Sequence, residues 1–165
     1  MGKRLWRFMR KDGNKAMNKY RQYKFKFYLN ARHAIYINGT LGEVHPHTWE
    51  ITLNVIKGRD EFIQFHTLEQ KIEAFMEKYQ DCYLNEMEPF DVMNPTLENC
   101  CHYFKDKLTE ILAAEGWIFL MMEMSETPAR SYVISIADES ETDRERSMST
   151  LVDMVLEEIK GEENK

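Results

Sequence analysis

Apolar and polar positions alternate twice in the first third of the chain. Tyr23, Phe25, Phe27, Leu29 and Ala31 form one alternation, which ends on His33. Trp49, Ile51, Leu53 and Val55 form another, opened by His45-Pro46-His47 and closed by Lys57-Gly58. A period of two sends successive side chains to opposite faces of a strand. The pattern therefore predicts strands over 21–33 and 45–57, with a loop over 34–44 marked by Asn38-Gly39 and Gly42. The period then lengthens. Leu68, Ile72, Phe75, Met76 and Tyr79 recur at helical spacing. A second loop over 85–95 ends in Asn94-Pro95-Thr96, a helix start. Leu97, Cys101, Phe104, Leu108, Ile111 and Leu112 give the next helix one apolar face, and Gly116 stops it. Trp117 to Met124 and Ser131 to Ile136 read as strands three and four. Thr142 with Glu145 makes a capping box, which leads into a last helix over 142–160 carrying Met148, Leu151, Val152, Val155 and Ile159.

The predicted order is β-β-α-α-β-β plus a C-terminal helix. Two hairpin pairs around a helix pair argue for an α+β fold, a four-stranded antiparallel sheet with two helices on one face. The open edges of such a sheet need covering, and oligomerisation into a barrel is one solution. A length of 165 residues suits a single domain, with residues 1–20 as a polar N-terminal extension. Met121, Met122 and Met124 read as core or interface packing rather than a metal box, because thioether sites need other soft ligands nearby.

Residues i and i+2 of a strand share a face, so His45 and His47 project side by side, and a paired strand can bring His33 to meet them. Three neutral imidazoles with an open fourth position is the layout of a catalytic zinc site. Paired histidines also occur as ordinary polar residues on half-buried strands, and with five histidines in the chain that alternative stands beside the first. His66 and His102 sit in no motif that demands imidazole and read as surface or satisfied core residues.

Composition narrows the setting. An apolar fraction of 43% and a charged fraction of 30% are those of an ordinary soluble globular protein. No stretch is long and apolar enough to span a bilayer as a helix, and Met1 to Arg10 is basic without the apolar core of a signal peptide. The expectation is a cytoplasmic protein without a membrane partner. Cys82, Cys100 and Cys101 are odd in number, two are adjacent, and none has CxxC spacing, so they form neither a disulfide framework nor a zinc cluster. The net charge of −6 hides a polarity. Residues 1–26 are basic, from Lys3 and Arg4 to Lys24 and Lys26, against one acid, Asp12, while 138–163 are mostly acidic. No recognition motif accompanies the basic arm, so no nucleic-acid partner is expected, and a solvated extension is the plainer reading. A phosphorylated small substrate would also favour positive charge nearby.

Five short motifs fall in order along the chain: Leu29-x-Ala31-x-His33, His45-Pro46-His47, Leu84-Asn85, Pro95-Thr96-Leu97-Glu98-Asn99 and Glu126-Thr127. In these, from about residue 23 to residue 136, the chain resembles the 6-pyruvoyl-tetrahydropterin synthase and 6-carboxy-tetrahydropterin synthase family. The resemblance implies a tunnelling fold, assembled as a homo-hexamer of two stacked trimers, each trimer closing a twelve-stranded barrel, with the active site between subunits. It implies Zn2+ on His33, His45 and His47, and 7,8-dihydroneopterin triphosphate as the usual substrate. It makes Glu126, with Thr127, the anchor of the pterin, accepting hydrogen bonds from its amino and ring N–H groups. Glu98 and Asn99 fall to structural work at the helix start.

The chain also departs from that family. Leu41 stands where the family has its catalytic cysteine, four residues before the histidine pair. Gln80 and Asp81 stand where it has an Asp-His dyad, so the catalytic histidine is missing, and the adjacent Cys82 reads as packed and inert. Pro46 replaces the glycine between the two metal histidines. Glu43, two residues before His45, is the best replacement for the lost base, with Asp81 as a second catalytic candidate. The expectation is a zinc-dependent pterin-processing lyase. The alternative is a non-catalytic or functionally altered member that binds zinc and pterin as a partner subunit, although a retired site has no chemical need for three matched imidazoles.

Overall fold

The computed structural model describes residues 20–58 and 63–138. Strand β1 runs Tyr20–His33 and is followed by a small hairpin of β2 (Tyr36–Ile37) and β3 (Thr40–Leu41). Strand β4 runs His45–Gly58, helix α1 Phe65–Met76, helix α2 Leu97–Ala114, β5 Ile118–Thr127 and β6 Arg130–Ser135. The four long strands form one antiparallel sheet in the order β1-β4-β5-β6. The predicted α+β order is thus present over these residues. The Thr142 capping box, the helix over 142–160 and residues 1–19 of the basic extension lie outside the described residues.

Register turns the two alternations into one apolar surface. Phe25 faces Leu53, Phe27 faces Ile51 and Leu29 faces Trp49 across β1 and β4. Ile51 faces Met124 and Leu53 faces Met122 across β4 and β5. Both helices lie over this surface. Leu68, Ile72 and Met76 of α1 and Leu97, Cys100, Cys101, Phe104, Leu108 and Leu112 of α2 join the sheet residues in a single core. Met122 and Met124 are fully buried in it, as expected for packing residues. The central position of β4 buries every residue from Ile51 to Lys57, on both faces, which a period-two pattern does not announce.

Helix α2 starts as its sequence dictates. The Thr96 hydroxyl accepts a hydrogen bond from the Asn99 backbone N–H at 3.3 Å, an N-cap, and the Asn99 side-chain amide donates to the Asn94 carbonyl at 2.8 Å. The helix ends before Gly116, whose φ of +69° suits a residue without Cβ. The loop over 34–44 contains a hairpin too short for any periodicity. Asn38 and Gly39, at φ +51° and +79°, make the tight turn between β2 and β3.

The outer edge of β1 is covered near its end. Arg32 N–H donates to Cys82 O at 2.8 Å and Asp81 N–H to Asn30 O at 2.7 Å, while Gln80 Oε1 accepts from Asn30 N–H at 3.2 Å. Just beyond, the Asn85 side chain pairs with both backbone groups of Ala34, and Asn94 does the same for Tyr36. These two amides pin the chain where it leaves His33. Among the described residues no helix is long and apolar enough to cross a membrane.

Candidate metal centre

The site lies where the apolar row of the sheet runs out. On the core face of β1 and β4, Leu29 opposite Trp49 is followed by Ala31 opposite His47, then His33 opposite His45. On β5 the same face continues from Met122 and Met124 to Glu126 by alternation. Three imidazoles and one carboxylate therefore converge at one end of the core.

The three histidines offer one ligand nitrogen each within 4.8 Å of one another. Their ring centroids are 4.5 Å apart for His33 and His45, 5.1 Å for His33 and His47, and 4.9 Å for His45 and His47. Trp49 floors the site, 5.0 Å from His33 and 5.4 Å from His47 between ring centroids. His33 is fully buried, while His45 and His47 are half-buried.

Hydrogen bonds select the tautomers. His33 donates from Nδ1 to the Pro95 carbonyl at 2.7 Å, and His45 donates from Nδ1 to the Glu43 carbonyl at 2.9 Å. A carbonyl only accepts, so each Nδ1 carries the proton and each Nε2 keeps its lone pair. His33 Nε2 is buried without a hydrogen-bond partner among the described residues. An acceptor nitrogen left bare among two neighbours of its own kind fits a bound cation. Burial is the largest influence holding the His33 imidazole below its usual pKa, reinforced by the neighbouring histidines and opposed by the Pro95 carbonyl and Glu126. Burial likewise lowers His47, opposed by Glu126. Both shifts favour the neutral, ligating form.

Glu126 stands beside the triad with its side chain only 7% exposed. Its Oε1 lies 3.9 Å from His33 Nε2 and 4.0 Å from His47 Nε2. Its Oε2 accepts a hydrogen bond from Arg130 Nη2 at 3.0 Å, across the turn between β5 and β6. Thr127 accepts from the Ala129 N–H at 3.4 Å within that turn. Glu126 and Thr127 line a cavity of about 410 Å³ with Tyr28, Thr48, Glu50, Glu123, Ser125 and Pro128.

The remaining sequence candidates stand around this centre. Glu43 is exposed, and its backbone carbonyl orients His45. Asp81, at φ +58°, lines a second cavity, of about 370 Å³, with Arg32 and His47. His66 and His102 are both exposed, and His102 Nε2 lies 3.3 Å from the Tyr132 hydroxyl. Cys82, Cys100 and Cys101 are free thiols. Burial pushes the Cys101 thiol up to about 12 and raises Cys100 as well, which leaves both as packing residues. Sequence reasoning missed Arg130, Trp49 and the Pro95 carbonyl. Only Trp49, two positions past His47, carried a signal of its own.

Residues 22–137 match the family model described as 6-pyruvoyl tetrahydropterin synthase. No curated protein is similar to the chain in sequence at a significant level. Among solved structures, the Caenorhabditis elegans 6-pyruvoyl tetrahydropterin synthase is similar at a TM-score of 0.60 and 13% identity, covering 70% of this chain and 95% of that one. The Plasmodium falciparum synthase is similar at 0.55 and 18%, covering 71% of this chain and 98% of that one. The Plasmodium vivax synthase, in a form with a catalytic glutamate changed to alanine, is similar at 0.56 and 14%, covering 71% and 98%. The shared architecture, a four-stranded antiparallel sheet with two helices, is the tunnelling fold expected from the motifs.

Proposed function

The chain belongs to the 6-pyruvoyl tetrahydropterin synthase family, and we propose that it is a zinc-dependent, pterin-processing lyase acting on 7,8-dihydroneopterin triphosphate or a related pterin. One observation carries the reading: three histidines, each offering one ligand nitrogen within 4.8 Å of the others, converge beside the buried carboxylate of Glu126. His33, His45 and His47 would hold Zn2+, whose tetrahedral preference and affinity for imidazole suit a three-nitrogen donor set. The metal would supply Lewis acidity, easing loss of a proton next to a substrate hydroxyl. Glu126, with Thr127, would accept the amino and ring N–H groups of the pterin. Glu43 would take the proton from the substrate side chain, and Asp81 would assist it. A glutamate is the catalytic residue changed in the Plasmodium vivax relative, which supports a carboxylate base. The protein would work in the cytoplasm as a homo-hexamer, a dimer of trimers, without nucleic-acid or membrane partners.

Metal content and turnover of dihydroneopterin triphosphate, with product masses, test the reading. About one zinc per chain and a new product support it, and the product identifies the bond broken. A protein that takes up no zinc, even from supplemented buffer, sinks it. One observation favours a second reading, a non-catalytic subunit that binds zinc and pterin. Gln80, where the family has part of its dyad, accepts a hydrogen bond from the Asn30 backbone and so serves the edge of β1. Zinc and pterin binding without any product would favour that reading.

A further inference from the structure

We infer that Glu126 has two stations: it closes the metal as a fourth ligand when the site is empty, and a bound pterin draws it off, so the metal opens only to a docked substrate. The inference rests on the metal reading above and concerns what this carboxylate does to that site.

The geometry argues for the first station. Adjacent ligand atoms around tetrahedral zinc lie roughly 3.3 Å apart, given bonds of about 2.0 Å. Glu126 Oε1 is 3.9 Å from His33 Nε2 and 4.0 Å from His47 Nε2, inside the 4.8 Å that bounds the separations among the three nitrogens. It is too far from either nitrogen to share a hydrogen bond with it. It stands instead within ligand-to-ligand reach of two of the three imidazoles, needing a small shift of its own to complete the set. The side chain is 7% exposed, so its charge has little access to water and must find partners within the site. Arg130 supplies one, holding Oε2 at 3.0 Å and leaving Oε1 toward the histidines.

The second station follows from direction. A pterin presents an amino N–H and a ring N–H side by side, and recognising both takes both carboxylate oxygens. Each carboxylate oxygen has two lone pairs, but a planar pair of N–H groups takes the forward lone pair of both oxygens at once, so turning that forward edge to a pterin turns Oε1 away from the histidines. Pterin binding therefore competes with ligation and with the Arg130 pair. Its consequence is an open coordination position created next to the substrate side chain. Arg130 is 68% exposed and can swing into solvent when displaced.

The test uses the full chain loaded with Co2+, whose visible spectrum reports coordination, and azide as a small probe of an open position. The wild-type protein should be indifferent to azide, whereas Glu126→Gln should bind it with a clear change in the visible bands. Unsubstituted pterin, which has no side chain to reach the metal, should raise the azide affinity of the wild type at least tenfold, and azide should raise pterin affinity by the same factor. This coupling is measured on the wild type and does not depend on the variant folding. Equal azide affinity in wild type and Glu126→Gln overturns the closed station. Pterin that binds without changing azide affinity overturns the opening. A wild-type chain that takes up no Co2+ at all overturns the metal reading itself, a distinguishable failure.

Discussion

His33 donates from Nδ1 to the carbonyl oxygen of Pro95, at 2.7 Å and across 62 residues of chain. That bond ties the last residue of β1 to the residue before the N-cap of α2. It fixes one ring orientation for the most buried ligand, and it makes the helix start part of the metal site. Thr96→Ala should therefore do two things. Loss of the cap should cost about 1 kcal/mol in denaturant unfolding. Loosening the Pro95 carbonyl should also weaken zinc binding, by up to about the 10–100-fold typical of residues that orient a ligand. An unfolding change with unaltered zinc affinity would mean that Pro95 only happens to lie near the ring.

Protons compete for the same nitrogens. Burial first, then neighbouring charge, holds His33 and His47 below the usual imidazole value of 6.5. A histidine depressed in the folded state gains its proton first in the unfolded chain. Above the unfolded pKa neither state is protonated and no stability is lost. As pH falls through 6.5 toward the lower folded values, protons bind the unfolded chain and stability declines. Metal-free protein should thus lose stability from about pH 6.5 downward, and His33→Gln should flatten that slope. Denaturant midpoints taken from pH 8 to pH 5 on chelator-treated samples would show it. An unchanged slope in the variant would locate the acid sensitivity elsewhere.

Trp49 separates packing from chemistry. It is fully buried, its ring meets those of His33 and His47, and its Nε1 has no hydrogen-bond partner among the described residues. Trp49→Ala should cost about 3–5 kcal/mol through the cavity left behind. Trp49→Phe keeps most of the ring and removes an unpartnered N–H, so its cost should stay within about 1.5 kcal/mol. Zinc affinity should fall with Trp49→Ala and hold with Trp49→Phe. If both variants bind zinc normally, the indole does not support the triad.

These residues also show what the sequence could and could not reveal. The two long alternations were legible because one face of each strand is buried, and their shared face carried the histidines to its end. The helix start was legible because Asn94-Pro95-Thr96 is a helix-start signal by itself. The β2–β3 hairpin was not, since two-residue strands have no period, and only its Asn38-Gly39 turn was visible. The burial of Thr52 and Asn54 depends on β4 lying in the middle of the sheet, a tertiary fact. The grip of Arg130 on Glu126 crosses the turn beside the irregular register between Ser125 and Thr127, which no residue pattern marks. The Pro95 carbonyl belongs to a backbone that every residue has, so no residue type marks it.

Glu43 offers the sharpest separation of binding from turnover, because its two groups do different things. The backbone carbonyl accepts the His45 Nδ1 proton at 2.9 Å, while the side chain is exposed before β4. A side-chain change leaves the carbonyl in place. Glu43→Gln should therefore keep full zinc content and pterin affinity. If the side chain is the base, kcat should fall by about 10²–10⁴-fold. Asp81→Asn should lower kcat less, since that carboxylate is the assistant in this scheme. The informative comparison is kcat against zinc stoichiometry in the same preparation. Zinc lost together with activity would mean that the Glu43 side chain serves the metal site itself, since the backbone carbonyl that orients His45 is unchanged in the variant. Activity kept in Glu43→Gln but abolished in Asp81→Asn would move the base to the other carboxylate, which lines the cavity beside His47.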